Sequence, residues 1–169
     1  CIGAMVAEEA GFDLIFSSGF GIAASLLGKP DLGYLTATEM IATAKRIAAS
    51  VSIPLIADMD TGYGNPLNVI RTVEDILKTD IAGFIIEDQE WPKKCGHFDG
   101  KRIVSVDKQV EKIKAAVYAR GDANLLIVGR TDARAVEGLE GAILRGEEYL
   151  AAGADVLFVE APQSRDELK

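Results

Sequence analysis

The stretch Ile53-Pro54-Leu55-Ile56-Ala57-Asp58-Met59-Asp60-Thr61-Gly62-Tyr63-Gly64-Asn65-Pro66 changes character at its middle. Its first half is a short apolar run of the kind that is buried on both faces of a parallel sheet. Its second half is made of turn residues, and Pro66 is suited to the first turn of a helix, which the apolar spacing predicts over 67–79. Strand, polar turn and helix in that order make one βα unit.

The unit recurs along the chain. Strands are predicted over 13–17, 53–58, 82–87, 125–130 and 155–160, and helices over 2–10, 37–50, 67–79, 106–120 and 139–152. Thr36 with Glu39 forms a candidate capping box, Ser105 a candidate N-cap, and Gly11, Gly121 and Gly153 stand where C-terminal caps belong. Strand starts fall roughly 30 to 40 residues apart, and eight such units make the roughly 250 residues of a (β/α)8 barrel. The expected fold is therefore α/β, a TIM barrel of which these 169 residues carry about five consecutive units. They form a single domain, 1–169, that is expected to be incomplete at its ends, since no strand precedes the first helix. A doubly wound dinucleotide-binding sheet competes with it, but no turn reads G-x-G-x-x-G. Gly19-Phe20-Gly21 comes nearest, with Ala24 at the third glycine position.

Composition narrows the function. Eighteen Lys and Arg against 26 Asp and Glu give a net charge of −8. That balance argues against nucleic acid and anionic membranes as partners. Hydrophobic residues at 49% imply a packed core. Two cysteines, Cys1 and Cys95, are too few for a disulfide framework and suit a reducing cytoplasm. No apolar run is long enough to span a membrane.

Polar residues collect at the carboxyl ends of the predicted strands, where barrels and open α/β sheets build their sites. Ser17, Ser18 and Gly19 follow the first strand, Asp58 and Asp60 the second, and Glu87, Asp88 and Gln89 the third. Arg130, Thr131 and Asp132 close the fourth, and Glu160 the fifth. Carboxylates gathered at one mouth need a cation, and Mg²⁺ takes such oxygen ligands, with Mn²⁺ as a substitute. Asp58, Asp60 and Glu87 suit it. Alone, residues 60–66 read as an ordinary turn; the acids at the next strand ends favour a site. Arg130 has the planar fork for a substrate carboxylate, its alternative being an ion pair with Glu160 or Asp132.

The connection 88–104 is long for a βα loop and contains Lys93-Lys94-Cys95-Gly96-His97. Two lysines and a histidine beside the thiol would favour proton exchange near neutrality, and Gly96 would let the loop approach a ligand. Each is mundane alone: a solvated lysine pair, a surface histidine, an incidental thiol. Trp91 and Phe98 would anchor the loop.

These segments resemble the isocitrate lyase and phosphoenolpyruvate mutase superfamily. The matches are Ser18-Gly19, Pro30-Asp31, Asp58-Met59-Asp60-Thr61-Gly62-Tyr63-Gly64, Glu87-Asp88-Gln89, Lys93-Lys94-Cys95-Gly96-His97, Gly129-Arg130-Thr131-Asp132-Ala133 and Val159-Glu160-Ala161-Pro162. They run in the family's order over nearly the whole chain. The resemblance implies a (β/α)8 enzyme that uses Mg²⁺ to hold a 2-oxo acid or its enolate. Asp58 would contact Mg²⁺ directly, with Asp60 and Glu87 acting through water. Ser18, Gly19 and Phe20 would bind the α-keto acid portion, and Asp31 would order the site. Arg130 would hold a carboxylate, with Glu160 orienting ligands. Cys95 points to the C–C lyase branch, similar to methylisocitrate lyase, as the general acid of a retro-aldol cleavage. Lys93, Lys94 and His97 would counter the leaving carboxylate's charge, with Gly96 close to substrate. The resemblance also implies a small carboxylate substrate and a homotetramer in the full barrel.

One departure stands out. The lyases commonly carry Tyr two residues before the Ser-Gly pair, where this chain has Phe16, so another base, such as Tyr63, or another substrate is implied. An oxaloacetate decarboxylase, a phosphonate-active mutase or hydrolase, and a non-catalytic fragment that binds metal or dicarboxylate remain as alternatives.

Overall fold

In the computed structural model, which describes residues 1–168, five strands form one parallel sheet in chain order. They are β1 (Ile15–Ser17), β2 (Leu55–Asp58), β3 (Gly83–Glu87), β4 (Leu126–Thr131) and β5 (Val156–Val159). The helices are α1 (Ile2–Glu9), α2 (Gly19–Leu27), α3 (Ala37–Ala48), α4 (Pro66–Ile76), α5 (Val106–Arg120) and α6 (Gly138–Ala151). An unbroken 1-2-3-4-5 order is that of consecutive units in a barrel wall; a doubly wound sheet reverses its order at a switch point.

Every predicted strand is present, four of them trimmed by one or two residues at one end or both and β4 shifted by one, so that it ends on Thr131. The predicted helices also form, with the Thr36–Glu39 box in place and Pro66 at the first turn. Ser105 caps α5 by position without a side-chain bond. α2 is the element that periodicity misses. Its two glycines lower helix propensity, yet Ser18 caps its start and Gly28, in the left-handed region at φ 61°, closes it.

Alternation along the strands sorts the sheet into two faces. Leu55, Ala57, Phe84, Ile86 and Ile127 face the helices and pack with Val73 and Ile76 of α4, Ile113 of α5 and Tyr149 of α6. On the opposite face Ile56, Ile85 and Val128 form a second, smaller cluster. Two residues further along the same face come Asp58, Glu87 and Arg130. The period of two that buries the apolar set therefore aims the polar set into the mouth of the sheet.

The expectation that all five strands are buried on both faces is corrected at the edges. β2 and β3 are buried throughout, whereas Phe16 of β1 and Phe158 of β5 are 49% and 42% exposed. β1 and β5 each pair on one side only among the described residues, so the face opposite the helices is open there. Among the described residues no helix is long and apolar enough to cross a membrane.

Candidate active site

Asp58 ends β2, and its carboxylate is fixed by two backbone donors. Gly19 N–H donates to Oδ2 at 2.9 Å and Asp60 N–H to Oδ1 at 3.0 Å. The first of these explains the glycine, because a Cβ there would lie 3.0 Å from Asp58 Oδ2 and 3.3 Å from Lys93 Nζ. The strand does not persist to Asp60. That residue turns at φ 48°, as the turn reading of this segment expects, and the left-handed turn carries its side chain inward.

Lys93 answers Asp60. Its Nζ lies 2.6 Å from Asp60 Oδ1 and donates to Asp31 Oδ2 at 2.7 Å, with all three side chains buried. Burial and the neighbouring Asp58 push the Asp60 carboxyl up to about 6 despite Lys93. Burial also raises Glu87 well above the carboxylate range, against the pull of Arg130. Lys93 itself is raised, since Asp60, Glu87 and Asp58 outweigh the burial that would lower it. Its ammonium is directed at Asp31 and Asp60, while the residue lines the same cavity as Cys95.

Arg130 is similarly committed. Nε and Nη2 donate to the two oxygens of Asp132 at 3.0 and 3.1 Å, while Nε lies 3.3 Å from Glu87 and Nη1 3.3 Å from Glu160. Its bidentate edge is occupied by Asp132, the ion-pair alternative, although the residue still lines the cavity.

The Cys95 loop is tied at both ends. Glu90 N–H donates to Arg102 O and Val104 N–H to Asp88 O, and the Gln89 amide brackets the Lys94 backbone, accepting from its N–H and donating to its carbonyl. Cys95 N–H donates to Asp31 O. Cys95 Sγ lies 3.8 Å from His97 Nδ1. Of the three basic residues expected around the thiol, His97 is the one that meets it. Lys94 is not brought to the site; its Nζ donates to the carbonyls of Asp99 and Gly100, on another side of the loop. Gly96 presses on the strand ends instead, where a Cβ would fall 2.5 Å from Arg130 Nη2 and closer still to Glu160 Oε1.

A cavity of about 910 Å³ opens over the strand ends. Ser18, Phe20, Asp31, Asp58, Lys93, Cys95, Gly96, His97, Arg130 and Glu160 all line it, so most of the residues picked out in the sequence share one space. Phe16, Phe98 and Phe158 give it an aromatic wall. Tyr63 does not face it. Burial, then Asp60, Asp58 and Glu87, raise the Tyr63 hydroxyl far above its usual range, which keeps it protonated and unsuited to be a base. Trp91 packs edge-on to Tyr63 at 6.3 Å, anchoring the loop as expected.

The donor set fits a hard divalent cation. Glu87 Oε1 is a buried oxygen that accepts no hydrogen bond, Asp60 Oδ1 meets the Lys93 ammonium, and burial raises both carboxyls, a cost that a bound cation would offset. Asp58 is the carboxylate of the three that faces the cavity. Among the described residues, no three His, Cys, Asp or Glu converge closely enough to hold an ion by direct contact alone.

Sequence reading missed the support beneath. Asp88 accepts from Thr131 Oγ1 and Tyr149 OH at 2.7 Å each and from Asp132 N–H at 2.9 Å. Lys112 Nζ holds the Thr61 carbonyl, and Lys101 Nζ donates to Asp132. A buried lysine on an otherwise amphipathic helix was the one available signal for Lys112; Lys101 gave none.

The phosphoenolpyruvate phosphomutase family model matches residues 1–169. The chain is 50% identical to the chloroplastic carboxyvinyl-carboxyphosphonate phosphorylmutase of Arabidopsis thaliana, over 99% of this chain and 51% of that protein. It is 48% identical to 2,3-dimethylmalate lyase of Eubacterium barkeri, over 98% of this chain and 57% of that one. The chain thus spans about half the length of the curated relatives it matches. A crystal structure of 2,3-dimethylmalate lyase superposes with a TM-score of 0.95 at 43% identity, covering 98% of this chain and 56% of that chain. Phosphonopyruvate hydrolase in complex with oxalate and Mg²⁺ superposes at 0.88 and 36% identity, over 99% and 58%.

Proposed function

The chain belongs to the phosphoenolpyruvate phosphomutase family, within the phosphoenolpyruvate mutase/isocitrate lyase superfamily, and from that premise we propose that the protein carrying it is a Mg²⁺-dependent carbon–carbon lyase. Its substrate is a 2-hydroxy di- or tricarboxylate of the 2-methylisocitrate kind. The products are a 2-oxo acid and a second carboxylate, a dicarboxylate when the substrate carries three carboxyls.

The observation that carries the reading is the Cys95–His97 pair, with Sγ and Nδ1 3.8 Å apart, on the same cavity as Asp58. A mutase returns its enolate carbon to phosphorus and has no carbanion to protonate; a lyase does, as does a hydrolase that breaks a carbon–phosphorus bond, and the substrate panel below separates those two. The substrate hydroxyl loses its proton to solvent, as neither Phe16 nor Tyr63 can take it. The bond between the carbinol carbon and its neighbour breaks, a carbonyl forms at the first, and the electron pair moves onto the second, next to its carboxylate. Cys95 delivers a proton to that carbon and is reprotonated through His97. Asp58, with Asp60 and Glu87 behind it, would hold Mg²⁺, which when bound supplies Lewis-acid stabilisation of negative charge on substrate oxygens. Arg130, whose three nitrogens already meet Asp132, Glu87 and Glu160, would hold a substrate carboxylate from its Nη1 side by displacing Glu160, 3.3 Å away. A working thiol suits a reducing compartment such as the cytoplasm.

Phe16 favours a second reading, in which the substrate is oxaloacetate or a phosphonate. Incubation with 2-methylisocitrate, 2,3-dimethylmalate, isocitrate, oxaloacetate and phosphonopyruvate, with and without Mg²⁺, separates the two by the products released. Metal-dependent release of a 2-oxo acid from one of the first three supports the lyase. Turnover confined to the last two overturns it.

A further inference from the structure

We infer that Lys101 is a positioning residue, a clamp that holds the Cys95 loop down on the strand end carrying Arg130. Lys101 lies on the return limb of the loop, and its side chain is 2% exposed. Nζ donates to the Gly96 carbonyl at 2.6 Å and to Asp132 Oδ1 at 2.8 Å. Gly96 stands between Cys95 and His97, so the carbonyl held is that of the residue joining the two side chains proposed to handle the proton. Asp132 is wholly buried and uses both oxygens on Arg130, sharing Oδ1 between Arg130 and Lys101.

One carboxylate thereby fixes the loop and the guanidinium relative to each other. Two ties, from Gln89 to the Lys94 backbone and from Cys95 N–H to Asp31 O, hold the loop before or at the thiol, and the pairs Glu90–Arg102 and Val104–Asp88 close its base. Lys101 is a tie beyond it, on the Gly96 side. A lysine is seldom buried this deeply without a polar task, and here one bond closes the loop on the Gly96 carbonyl while the other ties it to Asp132 at the strand end.

The catalytic meaning of the clamp rests on the lyase reading above, whereas its mechanical part does not, and the test separates them. In the protein that carries this chain, Cys1→Ser leaves Cys95 as the one thiol of these 169 residues. Iodoacetamide labelling at Cys95, followed by peptide mass, then reports loop opening without any turnover. Lys101→Met is expected to speed labelling about tenfold by raising the open population, and to lower kcat more than it changes KM. Lys101→Gln, which keeps a donor for the Gly96 carbonyl, should restore part of both. Ile113→Ala, a core substitution remote from the loop, controls for general destabilisation and should label at the parent rate. A folded Lys101→Met protein that labels at the parent rate overturns the clamp; if that variant does not fold, the same criterion is applied to Lys101→Gln. A parent protein that cleaves no hydroxy acid, with labelling still accelerated in the variant, overturns the lyase reading and leaves the clamp standing.

Discussion

Lys93 Nζ lies 2.6 Å from Asp60 Oδ1, and both side chains are 3% exposed. The ammonium is a counter-charge placed beneath the cavity, shared with Asp31 on one side. Removing it strands two buried carboxylates. Lys93→Met should cost about 3–5 kcal/mol of stability in metal-free protein, as breaking one side of a buried pair does. Urea denaturation measures it, and a loss under about 1 kcal/mol would mean that the pair is solvated in solution.

The Asp132 cluster gives a pH dependence of definite sign. Burial would raise this carboxyl, but Arg130 and Lys101 more than offset it and hold it below its ordinary 3.8. A carboxyl depressed in the folded state contributes stability above its unfolded value and loses it as pH falls through the folded one. The melting temperature of the parent protein should therefore exceed that of Asp132→Asn by a constant margin above pH 5 or so, a margin that shrinks below about pH 4. A margin that widened in acid would contradict the assignment.

Gly96→Ala tests the contact between loop and strand end. An alanine Cβ meets Arg130 Nη2 and Glu160 Oε1, the ends of side chains that can give way. Fold stability should change little, while cleavage falls by tenfold or more because thiol and guanidinium are no longer in register. Steady-state kinetics beside a thermal melt separates the two effects; unaltered kcat would show that the loop does not close in this way during turnover.

Much of this is legible in the sequence. Period-two alternation places Asp58, Glu87 and Arg130 on one face at the strand ends, because the same pattern that buries Ile56, Ile85 and Val128 determines where the next alternate residue points. The βα order followed from the length and spacing of the apolar runs. What stayed hidden depends on contacts distant in sequence. Lys93 and Lys94 are neighbours in the chain, yet one ammonium reaches Asp60 while the other turns to the Asp99 and Gly100 carbonyls, and nothing local distinguishes them. Lys101 meets Asp132, 31 residues on, and Asp88 meets Tyr149, 61 residues on. α2 was hidden for the opposite reason, since its glycines argue against a helix that Ser18, Gly28 and the packing of Ile22 and Ala23 impose.

Tyr63 has the hydroxyl that Phe16 lacks, but burial and three carboxylates keep it protonated. Tyr63→Phe should accordingly leave cleavage within roughly threefold of the parent rate, where loss of a general base costs about 10²–10⁴. A loss in that larger range, measured as 2-oxo acid release, would make Tyr63 the base.

Cys95→Ser bears most directly on the proposed chemistry. The substitution removes the thiol while leaving Asp58, Asp60 and Glu87 untouched, so Mg²⁺ binding by calorimetry should persist. Release of 2-oxo acid from the hydroxy acid that the parent protein cleaves should fall by about 10²–10⁴, the usual worth of a positioned proton donor. Cleavage by the serine variant at the parent rate, with metal bound, would contradict Cys95 as the acid and the lyase mechanism built on it.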